Sequence, residues 1–224
     1  MTQVIKKTRK ILVIGGAGYV GSQLVLELLK NSYKVTVYYL MIYGNVLPNN
    51  NPNLTIIVGD VRDMEKLKKT IKNHDVVIHL ACISNDPSFE LNPKLGYEIN
   101  FKCFEPLVLL AKNLGIKRFL YASSSSVYGI KETKEVNEET SLEPLTDYSK
   151  FKAKCENVLL SHTDSNFIGT VLRPATVCGY SLRQRLDLVV NILTNLGYHK
   201  KIITIFGGKQ LRPNIHISDM VDAS

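Results

Sequence analysis

The sequence predicts an α/β fold, a doubly wound parallel sheet with helices on both faces. Three observations predict it. Strand-length apolar runs alternate with amphipathic helical stretches from Lys10 to Ala175, an order that right-handed crossovers turn into a parallel sheet. The apolar runs are nearly unbroken, "ILVI" and "DVVIHLA" among them, as strands covered on both faces require. A glycine-rich turn, "GGAGYVG", joins the first run directly to the first helical stretch.

In order, Lys10 to Ile14 reads as a strand and Val20 to Lys30 as a helix with its apolar residues on one face. "YKVTVYYL", Tyr33 to Leu40, is the second strand, and "LTIIVGD", Leu54 to Asp60, the third. "NNNPN", Asn49 to Asn53, is the polar loop between them. Met64 to Lys72 is a charged amphipathic helix, and Asp75 to Ala81 the fourth strand. Leu95 to Leu114 reads as one long helix, kinked at Pro106, whose ring has no N–H to donate. "KRFLYAS" is the fifth strand, Lys131 to Thr140 a polar loop, Asp147 to Leu160 a helix, and "FIGTVLRPA" the sixth strand. No internal repeat or low-complexity segment interrupts the pattern.

Composition narrows the function. Of the 224 residues, 45% are hydrophobic and 21% charged, ordinary values for a globular chain, and the length supports a large core. No apolar run reaches the ~18 residues of a membrane helix. Lys6, Lys7, Arg9 and Lys10 precede an apolar run, but that run meets Gly15-Gly16 after Ile11 to Ile14. A signal peptide needs ~7 to 15 apolar residues there, so this is a basic lead-in to a strand. Cys82, Cys103, Cys155 and Cys178 have no CxxC spacing and read as reduced thiols of a cytoplasmic protein, with no metal site. The net charge of +8 raises nucleic acid as a partner. The lysines are dispersed, however: "KKTRK" at the start, Lys66, Lys68, Lys69 and Lys72 on one helix, Lys200 and Lys201 late. Dispersed charge is a solvated surface, and neither nucleic acid nor a membrane is the expected partner.

Gly15, Gly18 and Gly21 are spaced G-x-x-G-x-x-G between a strand and a helix opened by Tyr19 and Val20. Such a turn lets backbone approach a pyrophosphate, and the helix N-terminus offers free N–H groups to it. A dinucleotide site usually carries an acid ~20 residues on, at the end of the second strand, to hold the ribose hydroxyls. Here Val37-Tyr38-Tyr39-Leu40 has no acid, and no arginine for a 2′-phosphate. Tyr39 therefore leaves NAD against NADP open. Asp60, followed by Val61, is placed to accept from an adenine amino group. Asp63 is the better cap for the next helix. Downstream, "YASSSSVYG" ends the fifth strand, and Tyr148 and Lys152 stand at i and i+4 on one helix face. A phenol of reference pKa ~10 is a poor base, but a neighbouring ammonium favours its phenolate.

Together these elements resemble the extended short-chain dehydrogenase/reductase superfamily, specifically its NAD-dependent nucleotide-sugar epimerase/dehydratase family. "HLA" at 79–81, "YEIN" ending in Asn100, "LRPATVCG" and "LRPNIHISDMVDA" add to the likeness, which covers nearly the whole chain. The resemblance implies a Rossmann-type dinucleotide-binding domain over 1–172. It also implies the start of a substrate-binding region over 173–224, which stops short of the family's usual length. It assigns Ser124 as the catalytic serine, with Ser125 as the alternative, Tyr148 as the base, and Lys152 as its partner and a nicotinamide-ribose contact. It places Leu80, Ala81 and Pro174 against the cofactor. Ser84, Asn100, Ser124, Ser125, Tyr148 and Arg212 fall on the substrate side, with Arg212 on the diphosphate and Asn100 supporting the helix and its water. The implied reaction passes a hydride to the nicotinamide to make a keto-sugar. Ser125-Ser126 stands where the dehydratases have Asp-Glu, so 4-epimerisation of a UDP- or dTDP-hexose is the leading expectation. A nucleotide-keto-sugar reductase and a non-catalytic cofactor-binding member are the alternatives. A homodimer through the long helices is the family expectation.

Overall fold

The computed structural model describes residues 9–133 and 135–224. Lys6 and Lys7 of the basic lead-in lie outside the described residues. A six-stranded parallel sheet forms from β1 (Lys10–Ile14), β2 (Lys34–Tyr39), β3 (Leu54–Val58), β4 (Val76–His79), β5 (Arg118–Ala122) and β6 (Ile168–Leu172), in the order β3-β2-β1-β4-β5-β6. The helices are α1 (Tyr19–Lys30), α2 (Met64–Ile71), α3 (Asp86–Glu90), α4 (Pro93–Tyr97), α5 (Phe104–Asn113), α6 (Asp147–Ser161), α7 (Val189–Lys200) and α8 (Ile217–Asp222). A second, two-stranded sheet pairs β7 (Thr176–Cys178) with β8 (Asn214–His216). Among the described residues no helix is long and apolar enough to cross a membrane.

The unbroken apolar runs cover both faces. On β1, Leu12 and Ile14 join Leu67, Phe104, Leu107, Phe119 and Leu159 in one core. Ile11 and Val13 join Leu24, Val25, Val35, Val37 and Val221 in the other. This is the period-2 alternation of a strand, with each face given its own layer of helices. Strand order reverses between β1 and β4. Ligands of open α/β sheets sit in the crevice beyond the strand ends at such a point.

One element differs from the sequence reading. The helix expected over Leu95 to Leu114 is broken into α4, a π-helical segment at Glu98–Lys102, and α5. The irregularity precedes Pro106 rather than sitting on it. Pro106 lies in the first turn of α5, where a missing N–H is tolerated. The π segment carries Asn100, whose side chain reaches across to the backbone of Ile83 at 2.8 Å.

His79 ends β4 inside this core, 3% exposed, against Phe104, Phe119 and Tyr121. Burial, aided by the Lys152 charge, pushes its pKa down to about 3. The folded chain thus keeps it neutral, whereas the unfolded chain protonates it below a reference value of ~6.5. Stability from this group is complete above that value and falls as the pH drops toward 3. Between pH 7 and pH 5 the loss is about 2 kcal/mol. Urea unfolding across that range should show it, and His79→Phe should flatten the slope by that amount. An unchanged slope in the variant would refute a neutral buried His79.

Candidate active site

The glycine turn is built by close approach. Gly15 has φ +93°, and a Cβ on it would stand 2.6 Å from the Ala81 nitrogen. A Cβ on Gly21 would stand 2.4 Å from the Gly15 carbonyl oxygen. The Leu80 and Ala81 amides both donate to the Ile14 carbonyl, at 2.8 and 3.0 Å. Gly15, Leu80 and Ala81 thus form one floor at the strand-order reversal. Above it, α1 begins at Tyr19 with Gly18 as its N-cap and no side chain capping it, so its first N–H groups face outward. A backbone cradle that any Cβ would fill, under an uncapped helix end, fits a dinucleotide pyrophosphate.

Tyr19 departs from the cofactor-binding expectation at its side chain. The hydroxyl donates to the Gly179 carbonyl at 2.8 Å and accepts from Asn191 Nδ2 at 3.1 Å, and only its backbone belongs to the turn. Ser181 Oγ also donates to the Tyr19 carbonyl at 2.6 Å and pairs with Ser22 Oγ at 2.8 Å. The segment after β7 is therefore tied to the glycine turn. Val20 and Val61 stand at the starts of α1 and of the turn before α2.

At the end of β3, Asp63 caps α2 by accepting from the Lys66 N–H at 2.9 Å. The Asp60 carboxylate is gripped by Arg62 through Nε at 3.0 Å and NH2 at 2.7 Å. Arg62 also reaches Glu98 at 3.0 Å. Its guanidinium holds the Asp60 carboxyl below the usual carboxylate range. Asp60 is ionised and can still accept at a free lone pair.

The groups expected to react follow β5 and lie on α6. Thr146 and Ser149 form a reciprocal capping box at the start of α6, which fixes the angle at which Tyr148 and Lys152 leave the helix. Tyr148 and Lys152 are both buried. The Lys152 ammonium donates to the Ala122 carbonyl at 2.6 Å and lies 5.8 Å from the Tyr148 ring centroid. Burial raises the Tyr148 phenol above its ordinary value, and Lys152 opposes that rise. Burial also works against the Lys152 ammonium, but Cys82 and Tyr148 beside it hold it above the usual lysine value. Ser124, at the end of β5, accepts from the Ser126 N–H at 3.2 Å and the Ser126 hydroxyl at 2.9 Å. Both contacts use its lone pairs and leave its proton to donate. Ser125 donates its N–H to the Pro174 carbonyl at 2.9 Å, which joins the two strand ends that flank the site.

The Asn100 side chain meets the Ile83 backbone. Its amide oxygen accepts from the Ile83 N–H and its amide nitrogen donates to the Ile83 carbonyl, so it anchors the 82–84 loop. Ser84 accepts from Arg185 NH1 at 2.6 Å. The Arg212 guanidinium is exposed and makes no hydrogen bond or ion pair among the described residues. Two groups escaped the sequence reading. Arg185, paired with Asp187, stands close enough to Tyr148 to pull the phenol down. Glu156 follows Lys152 by one turn and accepts from Arg173 NH2 at 2.7 Å and from Ser123. The i, i+4, i+8 series Tyr148, Lys152, Glu156 was the available signal.

A buried tyrosine and lysine, a serine with a spare proton and a phosphate cradle make a site for dinucleotide-linked oxidation of an alcohol. A model of the NAD dependent epimerase/dehydratase family matches residues 11–224. The chain belongs to that family. It is 35% identical to an uncharacterised UDP-glucose epimerase of Bacillus subtilis, over 95% of this chain and 70% of that protein. A UDP-N-acetylglucosamine 4-epimerase from Methanobrevibacter ruminantium, solved with UDP-N-acetylmuramic acid, superposes with a TM-score of 0.89 at 30% identity, covering 97% of this chain and 72% of that one. A UDP-glucuronic acid 4-epimerase from Bacillus cereus, solved with UDP-glucuronic acid and NAD, gives 0.81 at 30% identity, over 95% and 70%. This family member carries the six-stranded sheet order and the Tyr148/Lys152 pair on one helix face. Among the described residues no cluster of His, Cys, Asp or Glu could hold a metal ion.

Proposed function

We propose that the chain is an NAD(P)-dependent 4-epimerase of a UDP- or dTDP-hexose. The observation that carries this reading is the buried Tyr148/Lys152 pair, whose ammonium donates to the Ala122 carbonyl two residues before Ser124, together with the glycine cradle. Gly15, Gly18, Val20 and Gly21 would hold the pyrophosphate. Leu80, Ala81 and Pro174 would line the nicotinamide side, Asp60 and Val61 the adenine, and Lys152 the nicotinamide ribose. When bound, the dinucleotide would supply a hydride acceptor and a positive charge. Ser124 donates to the sugar oxygen and orients it. Tyr148 would take the proton of the sugar hydroxyl during its oxidation and give it back to that oxygen to complete the epimerisation. Lys152 holds the phenolate form against the cost of burial.

Ser84, Ser125 and Arg212 are the proposed remaining substrate contacts, Arg212 suiting a diphosphate through its fork of donors. Residues 173–224 would then begin the substrate side of the molecule. Ser125 and Ser126 offer no carboxylate beside Ser124 to expel water, which favours epimerisation over dehydration. The four unpaired cysteines suit a reducing compartment such as the cytoplasm. Exposed Leu109 on α5 and Leu160 on α6 support pairing of two copies through these helices, which light scattering would show as a doubled mass.

The deciding experiment incubates the chain with the cofactor and, separately, UDP-glucose, UDP-N-acetylglucosamine, UDP-glucuronic acid and dTDP-glucose. An epimer should form from one of them by NMR, with no net change in reduced cofactor. Net consumption of reduced cofactor would replace the reading with a keto-sugar reductase. No product from any of them would overturn it.

A further inference from the structure

The end of β2 carries no carboxylate, and the structure shows what stands there instead. Tyr38 turns away, donating its hydroxyl to the Asp60 carbonyl at 2.8 Å. Tyr39 stays by the glycine turn, its ring 3.9 Å from where a Gly18 Cβ would stand. Arg183, from the loop after β7, arrives at the same place. Its guanidinium carbon lies 3.7 Å from the Tyr43 ring centroid, and its charge reaches the Tyr39 phenol.

Arg183 is also unlike its neighbours. Arg62, Arg173 and Arg185 are each neutralised by a carboxylate. Arg183 has no carboxylate partner among the described residues. NH1 donates to the adjacent Gln184 carbonyl at 2.8 Å, and its buried Nε has no hydrogen-bond partner among the described residues. Stacking on Tyr43 holds the guanidinium plane in one orientation, with its unused donors at the edge. A planar cation with spare donors, where a ribose-binding acid is missing, is arranged for a phosphate on that ribose.

We propose that this site binds NADP at least as tightly as NAD, with Arg183 gripping the 2′-phosphate between Tyr39 and Tyr43. The proposal rests on the dinucleotide site described above. It differs from the sequence expectation, which found no arginine near β2, because Arg183 is 144 positions from Tyr39 along the chain.

The test is calorimetric titration of the purified chain with NAD and with NADP at low and at physiological salt. NADP should bind at least as tightly as NAD, and its affinity should fall the more steeply with salt. Arg183→Ala should weaken NADP by about 10- to 100-fold, the range of charge-assisted hydrogen bonds, and weaken NAD by far less. Tyr39→Asp should disfavour NADP in the same direction through repulsion, and it checks the site without touching Arg183. NADP binding weaker than NAD would overturn the proposal. So would an equal loss of both dinucleotides in Arg183→Ala, which would place the guanidinium on the shared pyrophosphate. Binding of neither would overturn the dinucleotide site itself and this proposal with it.

Discussion

Tyr148→Phe should lower epimerase turnover by about 100- to 10,000-fold, the range for removal of a positioned acid/base group, while cofactor affinity and melting temperature stay unchanged. The Tyr148 hydroxyl makes no hydrogen bond among the described residues, so its removal leaves no buried partner unpaired. That separates a chemical loss from a structural one. The pH profile gives a second readout. Burial raises the phenol and Lys152 lowers it, so kcat/KM should climb with pH as the phenolate fraction grows. Removing the ammonium in Lys152→Met should move that climb to higher pH. Full activity in Tyr148→Phe, or a profile that Lys152→Met leaves in place, would remove the pair from the chemistry.

Glu156→Ala should destabilise the fold by about 3–5 kcal/mol, the cost of leaving a buried charge unpaired. Glu156 has a side chain 1% exposed and Arg173 one 18% exposed. The carboxylate accepts Arg173 Nε at 3.0 Å and NH2 at 2.7 Å, and Ser123 as well. Arg173 also donates to the Tyr128 hydroxyl at 2.9 Å and lies over that ring. One carboxylate thus ties α6 to β5, to β6 and to the short 3₁₀ turn Ser125–Tyr128 that follows Ser124. At about 2–4 °C per kcal/mol for a chain of this size, the melting temperature should drop by roughly 10 °C. Glu156→Gln keeps an acceptor for Ser123 and should cost less. A loss below about 1 kcal/mol in Glu156→Ala, the worth of an exposed pair, would show that water reaches this network.

Much of the molecule was legible because its signals are local. A strand covered on both faces must be apolar throughout, and β1 with Leu12 and Ile14 on one side and Ile11 and Val13 on the other is that pattern. A turn without room for a Cβ must be glycine, as at Gly15 and Gly21. Two residues four apart on a helix must share a face, which puts Tyr148 and Lys152 side by side. The break between α4 and α5 was not legible, because a single proline marked the region while the π segment around Asn100 follows from its long-range bonds to Ile83.

The sequence alone determined the strands of the sheet, the glycine cradle and the shared helix face of Tyr148 and Lys152, since each depends on residues within about one helical turn or one strand of each other. Only the tertiary structure decided what surrounds them. Arg185 reaches Ser84, Arg183 reaches Tyr43, and Ser181 and Asn191 reach Tyr19, across separations of 101 to 172 residues. No periodicity encodes such pairs. They exist because the chain after β6 returns over the ends of β1 and β4, and the crevice there joins segments that are distant along the chain.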